Sequence, residues 1–246
     1  MPASEPAIER GSGRPEKGYM LGRERVPSVT ERLHDLGSPD GLIRWACKLA
    51  VEDHGKGARF WDAVNAHERA RDAAADLGTA CHGAIQAWEL GDDVGPHVDA
   101  SADPLAVMDA LLRWREWRRD EMAGGGAGLT MIAIEVPLVS TTLRAGGTPD
   151  FIWRDRAGVL TVGDLKTGSS VSSTALLQIG AYAAMWWELR GELPRAGTIV
   201  HVPAKGGPLR TVSLDGDAFA ECCEDVLDFL HIHARDAARK LRHKIR

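Results

Sequence analysis

The stretch that most constrains this chain runs from Gly146-Gly147-Thr148-Pro149-Asp150 to Gly163-Asp164-Leu165-Lys166-Thr167-Gly168. Phe151 to Arg154 and Val159 to Gly163 are apolar and β-branched or aromatic, and Asp155-Arg156-Ala157-Gly158 between them has the composition of a hairpin turn. A three-residue loop over Arg156, Ala157 and Gly158, a type I turn closed by a left-handed glycine, pairs Asp155 with Val159. Counting outward from that pair sets Asp150 opposite Asp164, roughly 4.5–5.5 Å apart at Cβ, where like charges repel. Lys166 falls on the same face as Asp164, because side chains alternate along a strand. Two carboxylates and an ammonium therefore converge on one small volume. A divalent cation relieves the repulsion, and oxygen donors suit magnesium or manganese. The plainer alternative is an exposed hairpin with solvated charges, but the flanking residues are too apolar for that. A slip of one residue would turn Asp150 away.

Pro149-Asp150 followed by Asp164-Leu165-Lys166 resembles the PD-(D/E)xK nucleases, and the details resemble their RecB-like exonuclease branch, which includes CRISPR-associated, phage and mitochondrial genome maintenance exonucleases. Four elements carry the likeness, in order: Gly78-Thr79-Ala80-Cys81-His82, Gly147 to Asp150, Asp164 to Gly168, and Gln178-Ile179-Gly180-Ala181-Tyr182. The likeness covers Pro27 to Leu189. It implies a restriction-endonuclease-like α/β fold, with a mixed sheet flanked by helices and a helical part before it. It also implies a metal-dependent DNA exonuclease that hydrolyses phosphodiester bonds of single-stranded or end-containing DNA, leaving 5′-phosphate and 3′-hydroxyl ends. Recombination, replication and repair all fit. The implied catalytic set is Asp150, Asp164, Lys166, Gln178 and Tyr182, and the implied metal ligands are His82, Glu135, Asp150 and Asp164. An imidazole among them favours manganese at one site. An endonuclease of the same superfamily, or a nucleic-acid-binding protein with a degenerate site, stays open as an alternative.

The remaining chain is read as one domain over residues 26–246, helical over 26–122 and sheet-forming with a closing helix over 129–246, behind a mobile polar tail at 1–25. At 246 residues, 44% hydrophobic and 26% charged, it is large enough for a real core. No apolar run approaches the ~18 residues of a membrane helix, and the polar N-terminus lacks the apolar core of a signal peptide, so the expectation is a cytoplasmic protein with no membrane partner. Cys47, Cys81, Cys222 and Cys223 show no C-x-x-C spacing, which argues against an iron–sulfur cluster and for structural thiols. The net charge of −5 does not itself favour DNA. Arg113, Arg115, Arg118 and Arg119, and the run Arg235 to Arg246, either contact phosphate or are solvated helix faces.

Along the chain, Ser28 with Glu31 makes a capping box, opening a helix that runs to Gly37. Ser38-Pro39 starts another, whose Leu42, Ile43, Trp45, Ala46, Leu49 and Ala50 form a buried face. Residues 57–90 are helical, with Gly78 marking either a break or a close approach. Residues 91–102 are a polar loop. In the helix Pro104 to Met122, Trp114 and Trp117 either pack or stack on bases. After Gly124-Gly125-Gly126, a strand over Leu129 to Val139 sets Ile132, Ile134, Val136 and Leu138 on one face and Glu135 on the other, as a metal ligand, a water holder or a surface group. Gln178 and Tyr182 share one face of the helix Thr174 to Arg190. Strands at Thr198 to Pro203 and Leu209 to Leu214 precede a helix from Asp217 to Lys240.

Overall fold

In the computed structural model, residues 7–36, 39–120 and 128–244 are described, with the side chains of Asp35, residues 39–42 and residues 236–244 set aside. Gly37, Ser38, the glycine run at 124–126 and the basic side chains beyond Arg235 lie outside the described residues. Strands β1 (Glu9–Arg10), β2 (Tyr19–Leu21) and β3 (Glu24–Val26) come first, then helices α1 (Val29–Leu33), α2 (Pro39–Gly55), α3 (Phe60–Val64), α4 (Ala66–Leu90), α5 (Gly95–Asp99) and α6 (Pro104–Arg119). Strands β4 (Thr130–Ile134), β5 (Leu138–Ser140), β6 (Ala145–Gly147), β7 (Phe151–Arg154) and β8 (Leu160–Lys166) follow, then α7 (Thr174–Arg190), β9 (Ala196–His201), β10 (Arg210–Asp215) and α8 (Gly216–Lys244). A six-stranded mixed sheet in the order β1-β4-β7-β8-β9-β10 is flanked by helices, the α/β architecture expected of the sequence.

The sheet separates two apolar layers. On one side Ile152, Val162 and Ile199 pack with Tyr182 and Trp186 of α7 and Val226 and Leu230 of α8. On the other, Phe151, Trp153 and Leu165 pack with Ile85 of α4 and Leu111 and Trp114 of α6. Trp114 and Trp117 are packing residues: their rings lie 4.9 Å apart, and Trp114 stacks on Phe151 at 5.1 Å. The arginines of α6 are also used internally. Arg118 binds Glu89 at 2.7 Å, Arg113 donates to the carbonyls of Pro203 and Gly207, and Arg115 lies over the ring of Trp88. No described helix is long and apolar enough to cross a membrane.

Four local expectations are corrected. Within the stretch read as a tail, β1 adds to the sheet parallel to β4, and β2 and β3 form a hairpin. Its anchors are backbone bonds and ion pairs of Glu9 with Arg190 and Arg10 with Asp92, which leave no apolar pattern in sequence. The α2 face is only partly buried: Ile43 is 58% and Trp45 37% exposed, Ala46, Leu49 and Ala50 are half-buried, and the Leu42 side chain lies outside the described residues; α2 packs chiefly on the short α3 and on α4. The loop at 91–102 contains α5. The strand at 129–139 is broken, with a bulge between Met131 and Ala133 and a left-handed Glu135 at φ 54°. Ile134 therefore joins the α6 layer, while Ile132, Val136 and Leu138 join the α7 layer.

The candidate metal centre

The hairpin positions the site. Strands β7 and β8 pair Phe151 with Gly163 and Arg154 with Leu160, the register that the turn dictates. Asp155 N donates to Val159 O at 3.1 Å, and Gly158 takes φ 80°. One more step in the same register brings Asp150 across from Asp164. The Leu165 amide donates to Asp150 Oδ2 at 2.6 Å, fixing that carboxylate at the end of β7.

Side chains reach this point from both layers. From α4, His82 places Nδ1 3.3 Å from Asp150 Oδ1. Gly78 does not break the helix; it lets α4 approach, since a Cβ there would lie 3.0 Å from Thr167 Oγ1. From α7, Gln178 receives a hydrogen bond from Lys166 Nζ at 3.3 Å and donates to the Tyr182 hydroxyl at 2.6 Å. Glu135 enters from the break after β4, with the Gln86 amide donating to its Oε1 at 2.5 Å. Gln86, one turn beyond His82 on the same face of α4, was missed in the sequence, although the i, i+4 spacing could have flagged it.

Donor atoms of His82, Glu135 and Asp150 lie within 4.8 Å of one another, a set that could hold a metal ion. Asp164 stands outside that set. Its Oδ2 forms an ion pair with Lys166 Nζ at 2.7 Å. All seven sequence-predicted residues thus gather at one end of the hairpin. Asp164 pairs with the ammonium rather than with the histidine and the other two carboxylates.

The electrostatics show the strain of so much negative charge. Burial, and then the Asp150 carboxylate, push Glu135 up to about 7 and Asp164 up to about 6. Burial would also raise Asp150, but His82, Lys166 and the Leu165 amide hold it below the usual carboxylate value. Burial lowers His82, and the adjoining Asp150 outweighs that and raises it. Two carboxylates that resist ionising next to a third that is ionised mark a place where a cation is wanted. Carboxylate oxygens and one imidazole are donors that suit manganese, and the carboxylates alone suit magnesium.

The four cysteines are dispersed. Cys47 is exposed on α2, Cys81 is buried on α4, and Cys222 and Cys223 lie on α8, where Cys222 donates to the Leu176 carbonyl.

No family model and no curated protein matches the sequence. Among solved structures, the chain is similar to a candidate exonuclease from Eubacterium rectale, at 12% identity and a TM-score of 0.46 over 66% of each chain. It is also similar to the protein SSO0001, at 14% identity and a TM-score of 0.27 over 76% of this chain and 85% of that one. The overlap in both is partial.

Proposed function

We propose that the chain is a divalent-metal-dependent nuclease, and specifically a DNA exonuclease acting on single-stranded or end-containing DNA. The observation that carries this reading is the convergence of His82, Glu135 and Asp150 beside the Asp164–Lys166 pair, reached by the order of motifs described above. In this reading His82, Glu135 and Asp150 would hold the ion, and Asp164 would be free to add its carboxylate when a substrate phosphate draws the Lys166 ammonium away. When bound, the ion supplies Lewis-acid activation of water and neutralises charge on the phosphodiester.

The protein's own groups supply the rest. The Lys166 ammonium, held by Asp164 and Gln178, offsets phosphate charge and orients the attacking water. Gln178 and Tyr182 act as positioning residues, their hydrogen bonds fixing where that ammonium points. Gln86 holds the Glu135 carboxylate toward the other donors. Hydrolysis forms a bond from water oxygen to phosphorus and breaks the bond to the 3′-oxygen, which leaves as a hydroxyl.

The test is digestion of 5′- and 3′-labelled single and double strands with magnesium, manganese or chelator. Hydrolysis requires a metal, and Asp164→Ala and Lys166→Ala each abolish it while keeping the wild-type circular dichroism spectrum. Full activity in either variant overturns the reading. Covalently closed single-stranded circles survive an exonuclease and are cut by an endonuclease.

A further inference from the structure

A groove of about 530 Å³ opens directly beyond Lys166. One wall is helical, with Trp45 and Leu49 of α2 and Leu77 of α4. The other is the segment Thr167 to Ser169 together with the β9–β10 connection, which carries Lys205, and Arg210 at the start of β10. We propose that this groove is the track for single-stranded DNA, seating a base against Trp45 and backbone phosphates against Lys205 and Arg210, with the scissile end at the metal centre. The proposal rests on the nuclease reading for what lies at its inner end.

Four observations support it. First, the groove begins at the residue after Lys166: Thr167 lines it, and Val202 N donates to Lys166 O and Ala204 N to Thr167 O, so its wall is the direct extension of the β8–β9 pairing. Along α4, Leu77 lies five residues before His82 and Ala70 twelve, about 7.5 and about 18 Å at the helical rise. That length extends beyond a single nucleotide. Second, the wall is built to stay in place. Arg113 grips the carbonyls of Pro203 and Gly207, and His201 Nε2 lies 2.8 Å from Gly168 O. Third, the chemistry suits a polynucleotide strand. Trp45 keeps over a third of its surface exposed, and Lys205 and Arg210 make no ion pair with any described residue. An indole beside unpaired cations is the combination that binds single strands by stacking and phosphate contact. Fourth, a cavity of this size holds ligands of small-molecule dimensions, a base or two, and not a duplex.

The experiment is fluorescence anisotropy of the full chain with 5′-fluorescein dT15 in EDTA, plus steady-state hydrolysis of dT15 in manganese. Trp45→Ala weakens binding about tenfold. Lys205→Glu/Arg210→Glu weakens it further and lowers the slope of log affinity against log salt by about 1.4, two phosphate contacts at ~0.7 each. Both raise KM and leave kcat within twofold of wild type, as loss of uniform binding requires. A control with the same charge change at the turn end of the sheet, Arg156→Glu/Arg195→Glu, where Arg195 N meets Leu160 O, binds like wild type, and a blunt duplex of the same length binds at least tenfold more weakly. Wild-type affinity in the groove variants, equal loss in the control, or equal duplex binding overturns the track and leaves the nuclease reading standing. Groove-dependent binding of dT15 that wild-type protein never hydrolyses with either metal keeps the track and ends the nuclease reading.

Discussion

Gly147 and Tyr182 interlock: a Cβ at Gly147 would lie 2.2 Å from Tyr182 Cε1, so the aromatic ring fills the space where a side chain would stand. The ring is 3% exposed, and burial pushes the hydroxyl's pKa well above the ordinary tyrosine range, although the Gln178 amide that donates to it pulls the other way. The glycine before Asp150 thus sets the ring that orients Gln178 and, through it, Lys166.

Gly147→Ala is expected to destabilise the fold by about 1–3 kcal/mol, the usual cost of overpacking a filled core. Urea denaturation measures it. Tyr182→Ala makes room for the methyl, so Gly147→Ala costs less in that background. Strict additivity of the two substitutions would show that the contact is absent.

Glu135 has a left-handed backbone at φ 54°, which costs a residue with a Cβ about 1–2 kcal/mol. Both Glu135→Gly and Glu135→Ala remove the carboxylate and its bond to Gln86. Glu135→Gly is expected to be the more stable of the two by about 1 kcal/mol, against the usual order inside regular structure. Both lose manganese affinity by isothermal titration calorimetry. An alanine variant as stable as the glycine one would mean that the backbone is not strained there.

In the metal-free protein, stability is expected to fall as pH rises from about 5 to 8. Glu135 and Asp164 have ordinary values of 4.5 and 3.8 and folded values of about 7 and about 6, so each contributes stability fully present below the ordinary value and lost as pH climbs through the folded one. His82 is also raised and acts in the same direction, while Asp150 is lowered and loses its contribution only in acid. Manganese needs deprotonated donors, so at pH 6 its binding releases protons, seen as a binding heat that changes with buffer ionisation enthalpy. Glu135→Gln should flatten the pH slope. A metal-free protein more stable at pH 8 than at pH 5.5 would contradict this.

The thiols are expected to react unequally. Burial pushes Cys81 up to about 11 and, with Cys222 and Glu224 adding to it, Cys223 up to about 12, and it raises Cys222 as well, whereas Cys47 is exposed. Iodoacetamide at pH 8 should label Cys47 in the native protein and the other three only after unfolding, as read by peptide mass spectrometry. Equal labelling of Cys81 would show that α4 opens readily.

What could be read from the sequence was local. The β7–β8 register followed from Gly158 and the alternation on either side of the turn, and the Ser28–Glu31 capping box forms as its spacing requires. What could not be read depended on partners far along the chain. The break at Glu135 is held by Gly11 and Gly13, whose amides donate to the carbonyls of Ile134 and Glu135, and nothing near residue 135 announces them. The face of α2 has helical spacing, but periodicity says only that a face exists and not that something covers it. Gly78 looked the same in sequence whether it ended a helix or admitted Thr167.

The seam between the two layers carries a further consequence. His82 and Gln86 come from the chain before residue 120, and every carboxylate of the centre comes from after residue 128. A split version of this protein would therefore bind manganese through the full donor set only on reassembly, making the metal itself a reporter of whether the halves have met.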